Sequence, residues 1–374
     1  MKKRILILAY TDLSKDPRPL KQIKLLRDDY EVYSVGAVPN GAEKMFYNLP
    51  KPHFISRIFR LVFLKLGFKN YYYWDKNKKE LVSKLQGIKF DLIIVHEIIL
   101  APLAFKIKQN TTKMLLDAHE YTPKQYEDDF FWKFFLQKYL INLLQKYLSK
   151  FDYILTVGEF IAREYEKKFR VKVNVITNAA DFYELKPKNL KEEDKIQIIH
   201  HGVAAPNRNL ELLLNLANIL DDRFQVNLML VVPSSSVLYY RKLQKRANKK
   251  VKFLSPVPYS EIITTLSKFD IGIIFYPFTG FNIQYSLPNK FFEFIQARIM
   301  LAIGPSPEME SLVEKYSLGI VSETFCVHDI AEKIMNLKQH DINNYKKNVD
   351  NVAYKLSSEV NKLKLKEIIK NLLD

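Results

Sequence analysis

Two short stretches late in the chain carry the residue types that hold a phosphate. One is HHGVAAPNRNLELLL, in which Gly202 is followed by Arg208 near the start of an apolar helical pattern. A glycine lets backbone approach a ligand, a helix N-terminus favours an anion, and arginine makes forked contacts with phosphate oxygens. The other is SLPNKFFEFIQARIMLAIGPSPEME, Ser286–Glu310, in which Lys290 and Glu293 stand one turn apart. At about 100° per residue, Asn289, Lys290, Glu293 and Gln296 fall on one arc of a helix and Phe291, Phe292, Phe294 and Ile295 on the other. Two readings fit that arc. It is a solvated face with a surface Lys–Glu pair, or Lys290 meets a phosphate while Glu293 accepts hydrogen bonds from both hydroxyls of a ribose.

Histidines close two strand-like runs. His96-Glu97 ends DLIIVHE and His119-Glu120 ends MLLDAHE; each histidine fits a structural role as well as a chemical one. Zinc spacings, a Walker lysine loop, GxGxxG, GxSxG and an Asp-x-Asp pair are all missing from the sequence. If a nucleotide diphosphate binds, protein cations and helix dipoles are expected to balance it, with no metal and no cofactor.

The elements that must position these residues alternate. Strands are expected at 3–10, 30–37, 90–97, 113–120, 153–158 and 173–178, with helices between them, including a long one over 130–149. Asp16 is a plausible N-cap with Pro17 at the first helical position. A polar stretch follows, and then a second series of strands at 197–203, 226–232, 251–254, 271–277, 300–304 and 318–322. Such alternation implies doubly wound parallel sheets. We expect a first domain over 1–183, a linker over 184–195, a second domain over 196–350 and a C-terminal helix over 351–374.

A chain of 374 residues with 48% apolar and 26% charged residues has the balance of a globular protein. One cysteine, Cys326, excludes an internal disulfide, and no apolar run reaches the roughly 18 residues of a membrane span. The expected place is the cytoplasm. The net charge of +17 is uneven: residues 1–150 hold 27 Lys/Arg against 15 Asp/Glu. Residues 51–90 are the most basic part, interleaved with Phe54, Phe59, Phe63, Phe68, Tyr71, Tyr72, Tyr73, Trp74 and Phe90. This mixture suits an anionic membrane surface, nucleic acid, or a solvated lysine face over an aromatic core.

In order along the chain, KDPRPLKQIKLL (with Asp16–Arg18), DLIIVHE, DAHEYTP, TVGEFIAREYEKKF, VITNAADFYE, HHGVAAPNRNLELLL and SLPNKFFEFIQARIMLAIGPSPEMESLV resemble the GT-B fold glycosyltransferases of the retaining, family 4-like group. The resemblance implies an α/β chain of two doubly wound Rossmann-like domains facing across a cleft. It also implies transfer of a sugar from a nucleotide-sugar to a glycan or lipid-linked acceptor in surface polysaccharide synthesis, without a metal. Arg208 and Lys290 would neutralise the diphosphate, Gly202 and Asn289 would line its site, and Glu293 would hold the ribose. His119 would face the donor sugar. Asn178 and Asp181 match structural positions. Two places depart from the pattern: Tyr285 stands where the family has its first glutamate, and Val203 where it has an arginine. Under this reading the segment 51–90 rests on the inner face of the plasma membrane and no nucleic acid is bound. A 2-epimerase of the same fold and a non-enzymatic polyanion binder are the alternatives.

Overall fold

The computed structural model describes residues 2–50 and 54–374, with the side chains of positions 54 and 55 left aside. Of the basic aromatic segment, Lys51 and the Phe54 ring therefore lie outside the described residues. The chain divides into two units, Met1–Ile176 with Gly280–Asn282 and Lys362–Asp374, and Thr177–Thr279 with Ile283–Asn361.

The first unit is built on seven parallel strands: β1 (Arg4–Leu8), β2 (Glu31–Gly36), β3 (Met45–Asn48), β4 (Leu92–His96), β5 (Lys113–Asp117), β6 (Tyr153–Thr156) and β7 (Asn174–Val175). Their order is β3-β2-β1-β4-β5-β6-β7, so the winding reverses between β1 and β4. The central strands read as continuous apolar runs because both faces are covered; Ile5, Leu6, Ile7, Leu8 and Ile93, Ile94, Val95 are fully buried. Helix α1 (Pro17–Leu26) starts as its sequence dictates, with Asp16 accepting from Arg18 N and Pro17 at the first position. β3 was not foreseen. Its MFYN is half exposed at the sheet edge and lacks a buried face to mark it.

The stretch after β3, expected only as basic and aromatic, forms α2 (Phe54–Lys65), α3 (Lys69–Tyr73) and α4 (Lys76–Leu85). The helix expected over 130–149 is interrupted: Phe130–Trp132 and Lys138–Tyr147 flank a π-helical turn over Lys133–Gln137. Leu365, Ile368 and Ile369 of the helix Ser358–Leu373 join Ile5, Ile7 and Leu92 in one core. The C-terminal residues therefore belong to the first unit.

The second unit has six parallel strands: β8 (Ile196–Val203), β9 (Phe224–Val231), β10 (Val251–Leu254), β11 (Ile271–Ile274), β12 (Met300–Ile303) and β13 (Gly319–Val321). The order β10-β9-β8-β11-β12-β13 reverses between β8 and β11. The unit begins at Thr177, ahead of the expected boundary at 183, and the expected linker packs onto it. Leu190 is buried, its N–H and C=O bond the side chain of Asn343 at 2.9 and 2.8 Å, and Lys346 Nζ donates to Lys188 O at 3.0 Å. A polar composition signalled a linker because its hydrogen-bond partners lie far along the chain.

Candidate functional site

In open parallel sheets, ligands sit at the carboxyl ends of strands where the winding reverses. In the second unit that place is the end of β8 and β11, and the predicted residues gather there. Gly202, near the end of β8, has φ 143°, a conformation that favours glycine, and a Cβ built on it would sit 3.1 Å from Lys290 Nζ. Lys290 comes from the helix Asn289–Gln296, whose Phe291, Phe292, Phe294 and Ile295 are fully buried. Gly272 on β11 fixes that helix, since a Cβ there would meet the Phe294 ring at 2.4 Å. Only a bare backbone lets the ring lie this close to the strand.

The polar arc of this helix is not a solvated face. Gln296 is fully buried, donating to Ala353 O at 2.7 Å and accepting from Tyr183 N at 3.3 Å. Glu293 is 4% exposed, with His201 Nε2 at 3.1 Å from its carboxylate. Asn289 alone is exposed. Among the described residues no ion pair joins Lys290 to Glu293. Instead Lys290 Nζ lies 3.3 Å from His200 Nε2, and His200 donates through Nδ1 to Ile273 O at 2.9 Å. With Nδ1 protonated, Nε2 is the acceptor for the lysine.

Arg208 sits on the turn Pro206–Arg208, and both cations lie over Tyr276, Arg208 at 4.9 Å and Lys290 at 5.7 Å from the ring centre. Neither is within 4 Å of a carboxylate among the described residues. Burial, and then Arg208, lowers the Lys290 pKa to about 7, while Glu293 pulls it up. The helix Glu211–Ile219 after Arg208 offers an anion less than expected. Glu211 is in its first turn, and the Tyr239 hydroxyl bonds both Leu210 N, at 3.1 Å, and Glu211, at 2.8 Å. Two cations over the same ring, neither in an ion pair with an acid among the described residues, form a place for an anion. His200, His201 and Tyr276 were missed in the sequence because QIIHHGV and IGIIFYP read fully as buried strands.

His119 lies in the first unit, at the carboxyl ends of β4 and β5. Its Nε2 is 2.8 Å from His96 Nδ1, so one ring donates to the other. Below them, Asp117 is fully buried between Arg18, whose Nε and Nη2 reach it at 2.9 and 2.7 Å, and Gln22 Nε2 at 2.6 Å. Burial raises the Asp117 carboxyl, but Arg18 and then His96 more than offset it and hold it well below the usual range. Burial lowers His96 to about 3 and also lowers His119, which favours the neutral form of both rings. His96, Asp117 and His119 bring ligand-type atoms within 4.8 Å of one another. The Asp117 oxygens, however, are already committed to Arg18 and Gln22.

Glu97 follows β4 at φ 72° and ψ 138°, a strained conformation for a residue with a side chain. Its Oε1 accepts from His119 N at 3.0 Å. Burial, reinforced by Glu120, raises the Glu97 carboxyl to about 8, and burial raises Glu120 too. This pair of carboxyl groups was not foreseen. Asp181, matched to a structural position, accepts from Ser358 Oγ.

No described protein family matches the sequence, and no curated protein resembles it in sequence. Solved structures do match the fold. HepE from Anabaena in complex with UDP and glucose is 12% identical, with a TM-score of 0.70 over 99% of this chain and 100% of that one. Sucrose-phosphate synthase from Thermosynechococcus elongatus is 12% identical, with a TM-score of 0.70 over 99% of each chain. TarM is 12% identical, with a TM-score of 0.69 over 100% of this chain and 99% of that one. The chain has the GT-B fold, as its motif order implied.

Proposed function

We propose that the chain is a nucleotide-sugar-dependent glycosyltransferase. The observation that carries this reading is the pair Arg208 and Lys290, without an acidic partner, at the switch point of the second sheet beside Gly202. The donor's diphosphate meets the two cations where Gly202 leaves room, and Glu293 accepts from the ribose hydroxyls. As the bond from the sugar's anomeric carbon to the diphosphate oxygen breaks, Arg208 and Lys290 stabilise the charge that leaves. The acceptor hydroxyl bonds the same carbon and its proton passes to the departing diphosphate. No metal is required, because protein cations supply the countercharge. Retention of configuration and the assignment of His119 to the donor sugar come from the family resemblance. The HepE match is described in complex with UDP and glucose, which makes UDP-sugars the first donors to test.

Thermal-shift titration with UDP, GDP, ADP and their sugars tests the reading. One nucleotide series is expected to raise the melting temperature with EDTA present, and no shift with any of them would contradict it. The epimerase alternative needs acid/base carboxylates in both units, and the pair Glu97 and Glu120 lies wholly in the first. A UDP-sugar converted to its 2-epimer without acceptor would select that reading, whereas slow release of nucleotide selects the transferase.

The acceptor is a glycan or lipid-linked glycan, with the chain seated peripherally on an anionic membrane. Among the described residues no helix is long and apolar enough to cross one. Phe59 and Val62 of α2, Leu66, Phe68 and Tyr71 beyond it, and Phe130 and Phe131 are all strongly exposed. Lys65 Nζ lies 3.5 Å from the Phe134 ring centre, which brings the end of α2 and the π-turn together. Exposed aromatics beside lysines suit a bilayer interface. Co-sedimentation with vesicles containing 30% phosphatidylglycerol (a roughly physiological anionic load) is expected to fall at least about fivefold in Phe130→Ser/Phe131→Ser. Equal sedimentation of the variant, or equal binding to neutral vesicles, would remove the membrane part.

A further inference from the structure

The first sheet has a switch point of its own, between β1 and β4, and a cavity of about 310 Å³ opens beside it. Tyr10, two residues beyond β1, and Ile99 and Leu100, just beyond β4, form its floor. Arg57 and Arg60 of α2 and Lys78 of α4 supply its charge, and Tyr72 and Tyr73 of α3 complete the wall. Every lining residue belongs to the first unit. None was singled out as a site residue in the sequence, where the same segment read as a basic aromatic surface.

Charge bookkeeping in the cavity is one-sided. Asp75 is the only carboxylate bonded to these cations among the described residues; its Oδ2 takes Arg60 Nη1 at 3.0 Å and Lys78 Nζ at 3.0 Å. Arg60 is further held by Tyr72 O at 2.8 Å and Tyr73 O at 3.2 Å. It is locked in place before any ligand arrives. Lys78 is 6% exposed and sits 5.1 Å from the Tyr73 ring centre and 5.7 Å from that of Tyr10. It therefore keeps ammonium protons in hand beyond the one given to Asp75. Arg57 is exposed and has no ion pair among the described residues, yet it faces the same tyrosines: its charge acts on both the Tyr10 and the Tyr72 hydroxyls. Three cations against one carboxylate, two of them fixed by hydrogen bonds, describe an anion site with aromatic walls. Such walls take the apolar face of a sugar ring and leave its hydroxyls free to bond.

We infer that this cavity binds a phosphate-bearing sugar or polyol, with the phosphate on Arg57 and Lys78 and the ring against Tyr10 and Tyr72. That this ligand is the acceptor rests on the transferase reading; that the cavity binds it does not. The same chemistry is offered by a soluble sugar phosphate and by the phosphate of a lipid-linked acceptor, and α2 leaves both open by turning Arg57 and Arg60 into the cavity while exposing Phe59 and Val62.

Calorimetric titration of the full chain separates these possibilities. The probes are glucose 1-phosphate, farnesyl phosphate and, as the neutral control, glucose. At least one phosphate probe is expected to bind while glucose does not, and Arg57→Glu is expected to weaken that binding by at least about tenfold, the loss of a charge-assisted contact made into a repulsion. Tighter binding of glucose 1-phosphate points to a soluble acceptor and tighter binding of farnesyl phosphate to a lipid-linked one; both outcomes support the cavity. In the same samples, UDP affinity is expected to be unchanged by Arg57→Glu. Phosphate binding without UDP binding would cost the transferase reading and leave the cavity standing. Failure of both phosphate probes, equal binding of glucose and glucose 1-phosphate, or an unaffected Arg57→Glu variant would overturn the inference.

Discussion

Alanine at position 290 is expected to lower sugar transfer by at least about tenfold, since a charged contact with the diphosphate is worth roughly 1.5–3 kcal/mol. The loss should appear in kcat as well as KM, because charge builds on the diphosphate as the bond breaks. The same lysine sets a pH dependence. In the free protein burial and Arg208 lower its pKa to about 7, and a bound diphosphate favours the charged ammonium and raises it. A group with a higher pKa in the complex takes up a proton on binding. Donor affinity is therefore expected to be level below pH 7 and to fall as pH rises through 7, by up to about tenfold per unit. The Lys290→Ala variant should lose that slope. Nucleotide titrations at pH 6, 7, 8 and 9 check both statements; a slope retained by the variant would assign it to another group.

Glu293 has the second largest expected effect. Its carboxylate is almost fully buried, and His201 Nε2 at 3.1 Å from Oε2 helps set its place. If it accepts from both ribose hydroxyls, Glu293→Gln should weaken UDP binding by about tenfold or more, because charged hydrogen bonds are replaced by weaker ones. The diagnostic is a cycle with 2′,3′-dideoxy-UDP. The wild type should bind this analogue no more tightly than the variant binds UDP, and the variant should lose less than the wild type on going from UDP to the analogue. Independent, additive losses would show that Glu293 acts on stability or on another part of the donor.

Much of this site was legible because its residues lie where local rules speak. The runs QIIHHGV and IGIIFYP gave the two strands that flank the second switch point, with Gly202 near the end of the first, Arg208 just after it, and Lys290 and Glu293 on a helix beyond the second. Asp16 and Pro17 announced α1 through capping chemistry alone. What stayed hidden depends on partners distant in sequence. Gln296 looks like a surface residue until Ala353 and Tyr183 meet it. Asp117 looks like an ordinary strand end until Arg18 and Gln22 close on it. The Glu97 conformation has no signal, because a glutamate at positive φ is the reverse of what its type prefers. The cavity at the first switch point was concealed by composition. Arg57, Arg60 and Lys78 belong to a segment so basic that three cavity-lining cations do not stand out from the others.

The proposed transfer depends on the second unit's cations holding a nucleotide diphosphate. Isothermal titration of UDP, GDP and ADP at pH 8 with EDTA present, repeated in two buffers of different ionisation enthalpy, measures this directly. One of the three is expected to bind the wild type with uptake of a fraction of a proton, and Lys290→Ala is expected to bind it at least about tenfold more weakly with no uptake. Binding that requires a divalent cation, or that is indifferent to Lys290, would contradict the account.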